Sequence, residues 1–227
     1  MSVKQVEQLF TDAGGVFSTP IDDLTVKLQS VTAFIFDWDG VFNDGRKGTM
    51  SSSGFTETDS MGVNLLRFSY WKEKGALPFC AIITGEENPD ARKYAEREHL
   101  HALYQKVKNK EAILSRLHDE HKLDAENIAY IYDDVLDLAI ANKCGVRICV
   151  RTNASLLLRE YIAKNSLCDY RTAGSGGMNG VREACELLIG LRGNYDEILQ
   201  ERIAYSEVYQ KYFVERQKVE TSISEGG

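Results

Sequence analysis

Hydrophobic and polar positions divide the chain into two kinds of segment that follow one another in turn. Short apolar runs rich in β-branched and aromatic residues predict buried strands at 32–36, 79–83, 101–104, 128–132 and 146–150. Longer stretches with apolar residues at helical spacing predict helices near 61–74, 89–98, 110–121, 135–143 and 154–164. Strands that alternate with helices of this length indicate an α/β fold, a Rossmann-like doubly wound parallel sheet with helices on both faces.

Two segments lie outside this alternation. Residues 45–58 contain two short half-strands around a Ser/Gly-rich turn, which predicts a β-hairpin flap. Apolar and aromatic residues recur at helical spacing from Tyr195 to Phe213, which predicts a C-terminal helical extension. This aromatic stripe packs either on its own domain or on another subunit, and the pattern leaves both alternatives open. We expect three parts: a helical lead-in at 1–30, a main domain at 31–192, and a C-terminal helix with a flexible tail at 193–227.

The charge and composition of the chain exclude several classes of function. The net charge is −7 and the isoelectric point about 5.2, with no basic patch, so we expect no nucleic-acid partner. No apolar run approaches the ~20 residues that a membrane helix needs, and the segment MSVKQVEQLF lacks the pattern of a signal peptide. Five widely spaced cysteines favour small buried hydrophobes over disulfides. Together these features predict a cytoplasmic protein without membrane contact.

Four polar motifs stand at or near the predicted junctions between strands and helices. They are, in chain order, Asp37-x-Asp39, Thr84-Gly85, Lys110, and Asp133-Asp134-x-x-Asp137. Taken singly, each has an ordinary structural explanation: a solvated turn, a helix N-cap, a surface lysine, and acids favoured at a helix start by the macrodipole. Ligands of parallel sheets gather at the carboxyl ends of the strands, so motifs in these places predict one shared site.

The chemistry of phosphoryl transfer gives each motif a role. Negative charge on the phosphoryl oxygens requires a cation, positive side chains and hydrogen-bond donors. Asp37 and Asp133 would supply carboxylate ligands to Mg²⁺, which prefers hard oxygen donors. Asp37 could attack phosphorus to form an aspartyl-phosphate, while Asp39 protonates the leaving alkoxide and later deprotonates the hydrolytic water. Thr84 would donate its hydroxyl to a phosphate oxygen, and Lys110 would balance the negative charge.

In these motifs the chain resembles the haloacid dehalogenase superfamily of aspartate-nucleophile phosphatases, over about residues 31–191. The resemblance implies Asp37 as the nucleophile and Asp39 as the general acid and base, and it adds the backbone carbonyl of Asp39 as a further Mg²⁺ ligand. It also implies that Gly85 takes part in phosphate binding. Asp134 and Asp137 are implied to support the metal-bound waters and the lysine.

Further details resemble one branch of that superfamily, the capless 3-deoxy-D-manno-octulosonate 8-phosphate phosphatase group, which includes phosphatases of nine-carbon ulosonate 9-phosphates. The short spacings between the motifs leave no room for a cap domain, and "DGVFNDGR", "ITGE" and "GGMNGVREACELL" resemble segments of this group. The resemblance implies an Mg²⁺-dependent phosphatase of a phosphorylated sugar acid. It also implies a homotetramer in which a neighbour's flap (45–58) and the segment 174–180 help to close the active site.

The chain departs from that group at three places. Thr58 precedes Asp59, at a position where many members carry an arginine. The sequence therefore favours eight-carbon and nine-carbon substrates about equally. Tyr132 occupies the position of a usual glycine, where its ring could crowd the metal or shift the loop. The chain also continues beyond Leu191, where a typical member ends. The candidate contacts to the substrate are Arg46, Lys47, Asp59 and Lys108.

Three other functions share parts of the pattern. A phosphatase of another small sugar or nucleotide phosphate has the same core motifs, because specificity for the leaving group depends on the flap and the oligomer surface rather than on those motifs. A response-regulator receiver domain also combines acids, a threonine and a lysine. In that class the acidic pair precedes the phosphorylated aspartate, so the order in this chain excludes it. A catalytically impaired homologue that serves as a binding or scaffold module is favoured by Tyr132 and by the C-terminal extension.

Overall fold

A single sheet runs through the molecule. A computed structural model of the chain describes residues 1–47, 54–153 and 155–226. Its strands are β1 (Val16–Phe17), β2 (Ala33–Phe36), β3 (Phe79–Ile83), β4 (Ala102–Gln105), β5 (Ile128–Tyr132), β6 (Val146–Arg151), β7 (Tyr170–Ser175) and β8 (Ser222–Glu225). They lie in the order β1-β7-β6-β5-β2-β3-β4-β8. Neighbouring strands are parallel, apart from the antiparallel pair of β1 and β7.

Helices connect most of these strands. They are α1 (Val3–Asp12), α2 (Ile21–Gln29), α3 (Glu57–Lys74), α4 (Pro89–Arg97), α5 (Ile113–His121), α6 (Leu138–Ala141), α7 (Leu156–Lys164), α8 (Gly180–Arg192), α9 (Tyr195–Ile203) and α10 (Glu207–Arg216). Short 3₁₀ turns precede α5, β5 and α6, at Lys110–Ala112, Ala125–Asn127 and Val135–Asp137. The side chain of Thr56 accepts a hydrogen bond from the first turn of α3, which satisfies one of the N–H groups that a helix start leaves unpaired.

The helices cover both faces of the sheet because side chains along a strand point to opposite sides in turn. On β2, Phe34 and Phe36 belong to the core cluster that contains residues of α3, α4 and α8. Ala33 and Ile35 belong to the cluster on the opposite face, with residues of α5, α6 and α7. The predicted architecture, a doubly wound α/β fold with a mostly parallel sheet, is confirmed.

The cysteines and the helices agree with the expectations from composition. All five cysteines are free and buried, which confirms that they serve as small core residues. Burial raises the pKa of the Cys80 thiol to about 11, so this thiol stays protonated near neutral pH. Within the described ranges, no helix combines the length and the apolar composition that a membrane crossing requires.

The strand order creates a switch point at the centre of the sheet. β2 lies between β3 and β5 and is parallel to both. The chain passes from β2 to β3 and β4 on one side, and then resumes with β5 on the other side. Ligands of doubly wound sheets bind in the crevice at the carboxyl ends of the strands at such a point. Asp37 follows β2 and Asp133 follows β5, so both stand at this crevice.

Three strands of the sheet were not predicted, and each has a weak apolar pattern. β1 is two residues long, and β8 (SISE) contains one apolar residue. β7 (YRTAGS) is rich in small and polar residues, and its last three residues are only partly buried. These strands form because neighbouring strands offer unpaired backbone groups, and that driving force leaves no mark in the hydrophobic pattern.

The predicted flexible tail is wrong. β8 pairs in parallel with β4, and the backbone N–H of Gly226 donates to the carbonyl of Gln105 at 2.7 Å. Glu225 adds an ion pair with Lys106 at 2.8 Å. The tail therefore covers the edge of β4, because an uncovered edge strand carries a row of unsatisfied backbone groups.

The aromatic stripe of the extension packs on its own domain. Tyr209 and Tyr212 are buried, and their rings lie 5.1 Å from that of Phe68 on α3. The hydroxyls of both tyrosines donate to Asn64, also on α3, at 3.1 Å. The extension consists of α9 and α10 rather than one helix. Of the two alternatives left open by the pattern, the structure thus shows the contact within the chain.

The middle of the predicted flap, residues 48–53, lies outside the described residues. Its described parts, 45–47 and 54–56, contain no strand, and Glu57 and Thr58 form the first turn of α3 rather than the end of a hairpin. The flap itself stays a prediction.

The lead-in is joined to the main domain by a buried carboxylate. Asp169 accepts hydrogen bonds from Thr19 at 2.6 Å and Lys27 at 2.7 Å, and from the Arg147 side chain at 2.8 Å and 3.0 Å. Burial alone would raise the pKa of Asp169, but these hydrogen bonds outweigh it and hold the pKa below its ordinary value. The division at residues 30 and 192 stays a prediction, since β1 and β8 join the outer segments to the central sheet.

Replacing Asp169 by asparagine is expected to lower the free energy of unfolding by about 3 kcal/mol at pH 7, because Arg147 and Lys27 lose a buried ionic partner. A depressed pKa means that the stabilisation by Asp169 is present above the unfolded-state pKa of about 4 and disappears as the pH falls through the folded-state value. Urea unfolding of both proteins at pH 7 and pH 3 measures this. An equal difference at the two pH values would contradict the assignment.

Candidate active site

The predicted motifs line one cavity at the carboxyl ends of the central strands. The cavity has a volume of about 660 Å³. Its lining contains these predicted residues: Asp37, Asp39, Arg46, Thr84, Gly85, Lys110, Asp133, Asp134 and Asp137. They come from segments far apart in the chain, and the parallel order of β2, β3 and β5 brings them together.

Lys110 connects two buried carboxylates. Its Nζ donates to Asp37 Oδ1 at 2.5 Å and to Asp137 Oδ1 at 2.6 Å. Tyr130 Oη also donates to Asp137 Oδ1, at 2.5 Å. Burial alone would lower the pKa of Lys110, but Asp37 and Asp137 outweigh it and raise the pKa, so the ammonium stays charged. Asp137 thus positions Lys110, and Lys110 in turn positions Asp37.

Asp133 offers an oxygen that is suited to a cation. Asp37, Asp133 and Asp137 each place a carboxylate oxygen within 4.8 Å of the others. Burial and the nearby Asp137 raise the pKa of Asp37 to about 7, and burial with Asp37 and Asp137 raises that of Asp133 to about 9. Among the described residues, the buried Asp133 Oδ1 has no hydrogen-bond partner. Because Asp137 Oδ1 already accepts from Lys110 and Tyr130, Asp37 and Asp133 are the better placed ligands for an ion.

A glycine allows the first acidic loop to approach Asp133. Gly40 has a left-handed backbone (φ +86°), and a Cβ at this position would overlap Asp133 Oδ2. Gly176 is equally crowded, since its Cβ would overlap the backbone carbonyls of Gly40 and Asn43. The loop that follows β7 therefore lies directly against the loop that follows β2.

Thr84 and Gly85 follow β3, as predicted. Thr84 is buried, and its backbone N–H donates to the Tyr104 carbonyl at 2.8 Å. Its own carbonyl accepts from Val107 N at 3.1 Å, which ties the loop that leads to Lys110 to the end of β3. A Cβ at Gly85 would meet nothing nearer than the Val107 carbonyl at 3.8 Å, so this glycine is not required by space.

Two cations at the start of the flap already have acidic neighbours. Lys47 Nζ lies 2.5 Å from Asp39 Oδ2, on the acid predicted to carry protons. Arg46 pairs with Asp44 at 3.3 Å, and both side chains are exposed. Asp134 accepts from the backbone N–H of Val135 at 2.8 Å, so its carboxylate caps the turn before α6.

Two of the predicted substrate contacts do not reach the cavity. Asp59 is fully buried, where it accepts from the backbone N–H of Arg182 at 2.9 Å and from the Thr56 hydroxyl at 2.7 Å. It connects the starts of α3 and α8, so its prediction as a substrate contact is wrong. Lys108 is exposed and is not part of the cavity lining, because Lys110 rather than Lys108 points inward from this loop.

Tyr132 does not crowd the acidic cluster. Its hydroxyl donates to the Leu167 carbonyl at 2.8 Å, and its ring stacks on Tyr130 with 5.9 Å between centroids. The ring belongs to the core cluster on the face of the sheet that carries α5, α6 and α7. The bulky residue in place of glycine is therefore accommodated as core packing, and this removes the main argument for an impaired site.

Sequence reasoning missed part of the lining. The missed residues are Asp44, Glu86, Leu136, Arg151, Thr152 and Asn153. Arg151 is the last residue of β6, so the same strand-end rule that selected Asp37 could have found it. The segment 174–180, predicted to reach a neighbour's site, contributes Ser175 and Gly176 to the cavity of its own chain.

Comparison with known proteins identifies relatives over most of the chain. No family model matches it. The 3-deoxy-D-manno-octulosonate 8-phosphate phosphatase KdsC of Salmonella typhi is 30% identical over 176 residues, which cover 75% of this chain and 86% of the relative. The protein of the same name from Escherichia coli K12 is 29% identical over 180 residues, which cover 77% and 88%.

Solved structures show the same fold. A probable YrbI family phosphatase from Pseudomonas syringae aligns with a TM-score of 0.67 and 27% identity, over 80% of this chain and 98% of that one. The 3-deoxy-D-manno-octulosonate 8-phosphate phosphatase of Moraxella catarrhalis aligns with a TM-score of 0.66 and 25% identity, over the same shares. That crystal structure contains a magnesium ion, a phosphate ion and a KDO molecule.

Proposed function

Because this chain belongs to the family of haloacid dehalogenase-like phosphatases that includes the 3-deoxy-D-manno-octulosonate 8-phosphate phosphatases, we propose that it hydrolyses a sugar-acid phosphate with Mg²⁺ as cofactor. The observation that carries the proposal is the meeting of Asp37, Lys110 and Asp133 in one cavity. A carboxylate nucleophile, a cation that orients it, and an unsatisfied second carboxylate are what phosphoryl transfer through aspartate requires.

The acidic cluster fits a hard divalent cation. Asp37 and Asp133 would hold it, together with the backbone carbonyl of Asp39, and Asp134 would support its waters. Burial, together with the charge of neighbouring carboxylates, raises the pKa values of Asp37 and Asp133, and a bound cation would offset both effects. When bound, Mg²⁺ supplies positive charge to the phosphoryl oxygens.

The side chains divide the reaction between them. Asp37 attacks phosphorus, and the bond from phosphorus to the sugar oxygen breaks while Asp39 gives that oxygen a proton. Asp39 then takes a proton from water, which attacks the aspartyl-phosphate and releases inorganic phosphate. Thr84 and Gly85 bind the phosphoryl oxygens, and Lys110 orients Asp37 and favours its ionised form. Asp39 shuttles the proton only after Lys47 has moved away from its carboxylate.

The substrate class rests on the relatives. The curated relatives are named for 3-deoxy-D-manno-octulosonate 8-phosphate, and the Moraxella structure contains KDO with phosphate. We propose this eight-carbon acid phosphate or a nine-carbon ulosonate 9-phosphate as the substrate. A screen for phosphate release from both, and from neutral sugar and nucleotide phosphates, with and without Mg²⁺, tests it. Faster release from neutral esters would contradict the proposed substrate class, and no release from any ester would contradict the enzyme.

Apparent affinity for Mg²⁺ is expected to rise by at least about tenfold between pH 6 and pH 8. The pKa values of about 7 for Asp37 and about 9 for Asp133 mean that protons compete with the metal for these carboxylates. Titration calorimetry in buffers of different ionisation enthalpy measures both the affinity and the protons released. An affinity that does not change with pH would contradict this ligand set.

Assembly and location stay predictions. We propose a homotetramer in the cytoplasm, with neighbouring flaps completing the wall of each cavity. The five free cysteines are consistent with a reducing compartment. Light scattering of the purified protein measures the assembly state directly.

A further inference from the structure

The cations of the active-site cavity are mostly committed to acids of the chain. In the described part of its lining, three residues are cationic: Arg46, Lys110 and Arg151. Lys110 bonds to two buried carboxylates, and Arg46 pairs with Asp44. Among the described residues, Arg151 has no carboxylate within ion-pair distance, and its one side-chain hydrogen bond is to the Ala173 carbonyl, at 3.4 Å. This guanidinium therefore keeps most of its five donors for a ligand.

The backbone places Arg151 at the edge of the sheet where the acids stand. β6 is parallel to β5, with Tyr132 beside Cys149, so Arg151 ends its strand next to the acids that follow β5. The pairing of β6 with β7 is irregular between Cys149 and Arg151, and the Arg151 N–H donates to the Thr172 hydroxyl at 3.0 Å. Such irregularities occur beside active sites, where they redirect a side chain.

From these contacts we infer that Arg151 binds the carboxylate of the sugar-acid substrate and selects for it. This inference rests on the proposed function. Such a substrate carries two anionic groups, and the site around Asp37 takes the phosphate. The second anion would otherwise face the carboxylates of Asp44 and Asp134, which repel it. A guanidinium matches a carboxylate with two parallel hydrogen bonds, so Arg151 makes the cavity specific for acid sugars.

The test compares enzyme variants on a pair of substrates. The values of kcat/KM are measured for an ulosonate phosphate, eight-carbon or nine-carbon according to the screen, and for its carboxamide, in which the carboxylate is neutral. Arg151→Gln is expected to lower kcat/KM for the acid by about 10- to 100-fold, mainly through KM, and for the amide by much less. Arg151→Lys keeps the positive charge but lacks the paired donors of a guanidinium. Its kcat/KM for the acid should lie between that of the wild type and that of Arg151→Gln. Arg92→Gln, on the exposed face of α4, is the matched control and should keep the wild-type preference.

Each outcome decides the inference. A lower ratio of acid to amide in Arg151→Gln, partly restored in Arg151→Lys, supports it. An unchanged ratio in Arg151→Gln overturns it, as does a wild-type enzyme that treats acid and amide alike while it hydrolyses p-nitrophenyl phosphate. In both of these cases the enzyme remains a phosphatase. A wild-type protein that releases phosphate from no ester, p-nitrophenyl phosphate included, contradicts the proposed function itself, and the inference falls with it.

Discussion

Replacement of Asp37 by asparagine is expected to lower kcat by about 10⁴-fold or more, because an amide cannot form the bond to phosphorus. The fold should survive, since Lys110 keeps its bond to Asp137. Burial and the charge of Asp137 raise the pKa of Asp37 to about 7, so its ionised form costs stability at higher pH. At pH 8 without metal, the free energy of unfolding of Asp37→Asn should therefore be no lower than that of the wild type.

Three measurements test this expectation: initial rates with saturating Mg²⁺, urea unfolding at pH 8, and the rise in Tm on adding Mg²⁺. The rise in Tm should be smaller in the variant, because one of the two proposed metal-binding carboxylates is gone. Asp119→Asn, which changes an exposed acid on α5, serves as the control and should retain the wild-type rate. A variant of Asp37 that keeps substantial activity would show that another residue is the nucleophile.

Replacement of Gly40 by alanine is expected to lower both kcat and the affinity for Mg²⁺ by about 100-fold. The new Cβ would overlap Asp133 Oδ2, so the carboxylate has to turn away from its position beside Asp37. The left-handed backbone (φ +86°) adds strain of about 1–2 kcal/mol in any residue with a Cβ. The variant should thus lose some stability and nearly all metal-dependent activity.

Gly75→Ala separates these two effects. Gly75 ends α3 with φ +71°, and a Cβ there meets no atom within 4 Å. This variant should lose about 1 kcal/mol of stability from backbone strain, with no change in kcat or in Mg²⁺ affinity. If Gly40→Ala behaves like Gly75→Ala in both activity and Mg²⁺ titrations, the position of Asp133 is not what the site depends on.

The strands that carry the predicted catalytic motifs could be predicted because they are buried on both faces. Such strands appear as continuous apolar runs, and those at 79–83 and 128–132 agree with β3 and β5 at both ends. The acids and the Thr-Gly pair come directly after these runs, so their convergence follows from the parallel order of the sheet. Asp59 was predicted wrongly because an acid beside a flap has the same pattern whether it contacts substrate or caps a neighbouring helix.

The amino-acid sequence by itself determined the α/β class, the central strands and the order of the proposed catalytic motifs, because apolar runs and strand-end polar residues are local features. Only the tertiary structure decided which charges are already paired. Arg46 and Lys47 are close to acids of their own chain, whereas Arg151, with no motif around it, has no carboxylate within ion-pair distance among the described residues. The tertiary structure also decided that the tail pairs with β4 and that Tyr132 packs in the core, since edge pairing and core packing depend on neighbours that are distant in the chain. The pairing of β8 with β4 and the bond from Tyr132 to Leu167 join residues more than thirty positions apart, and no local pattern records them.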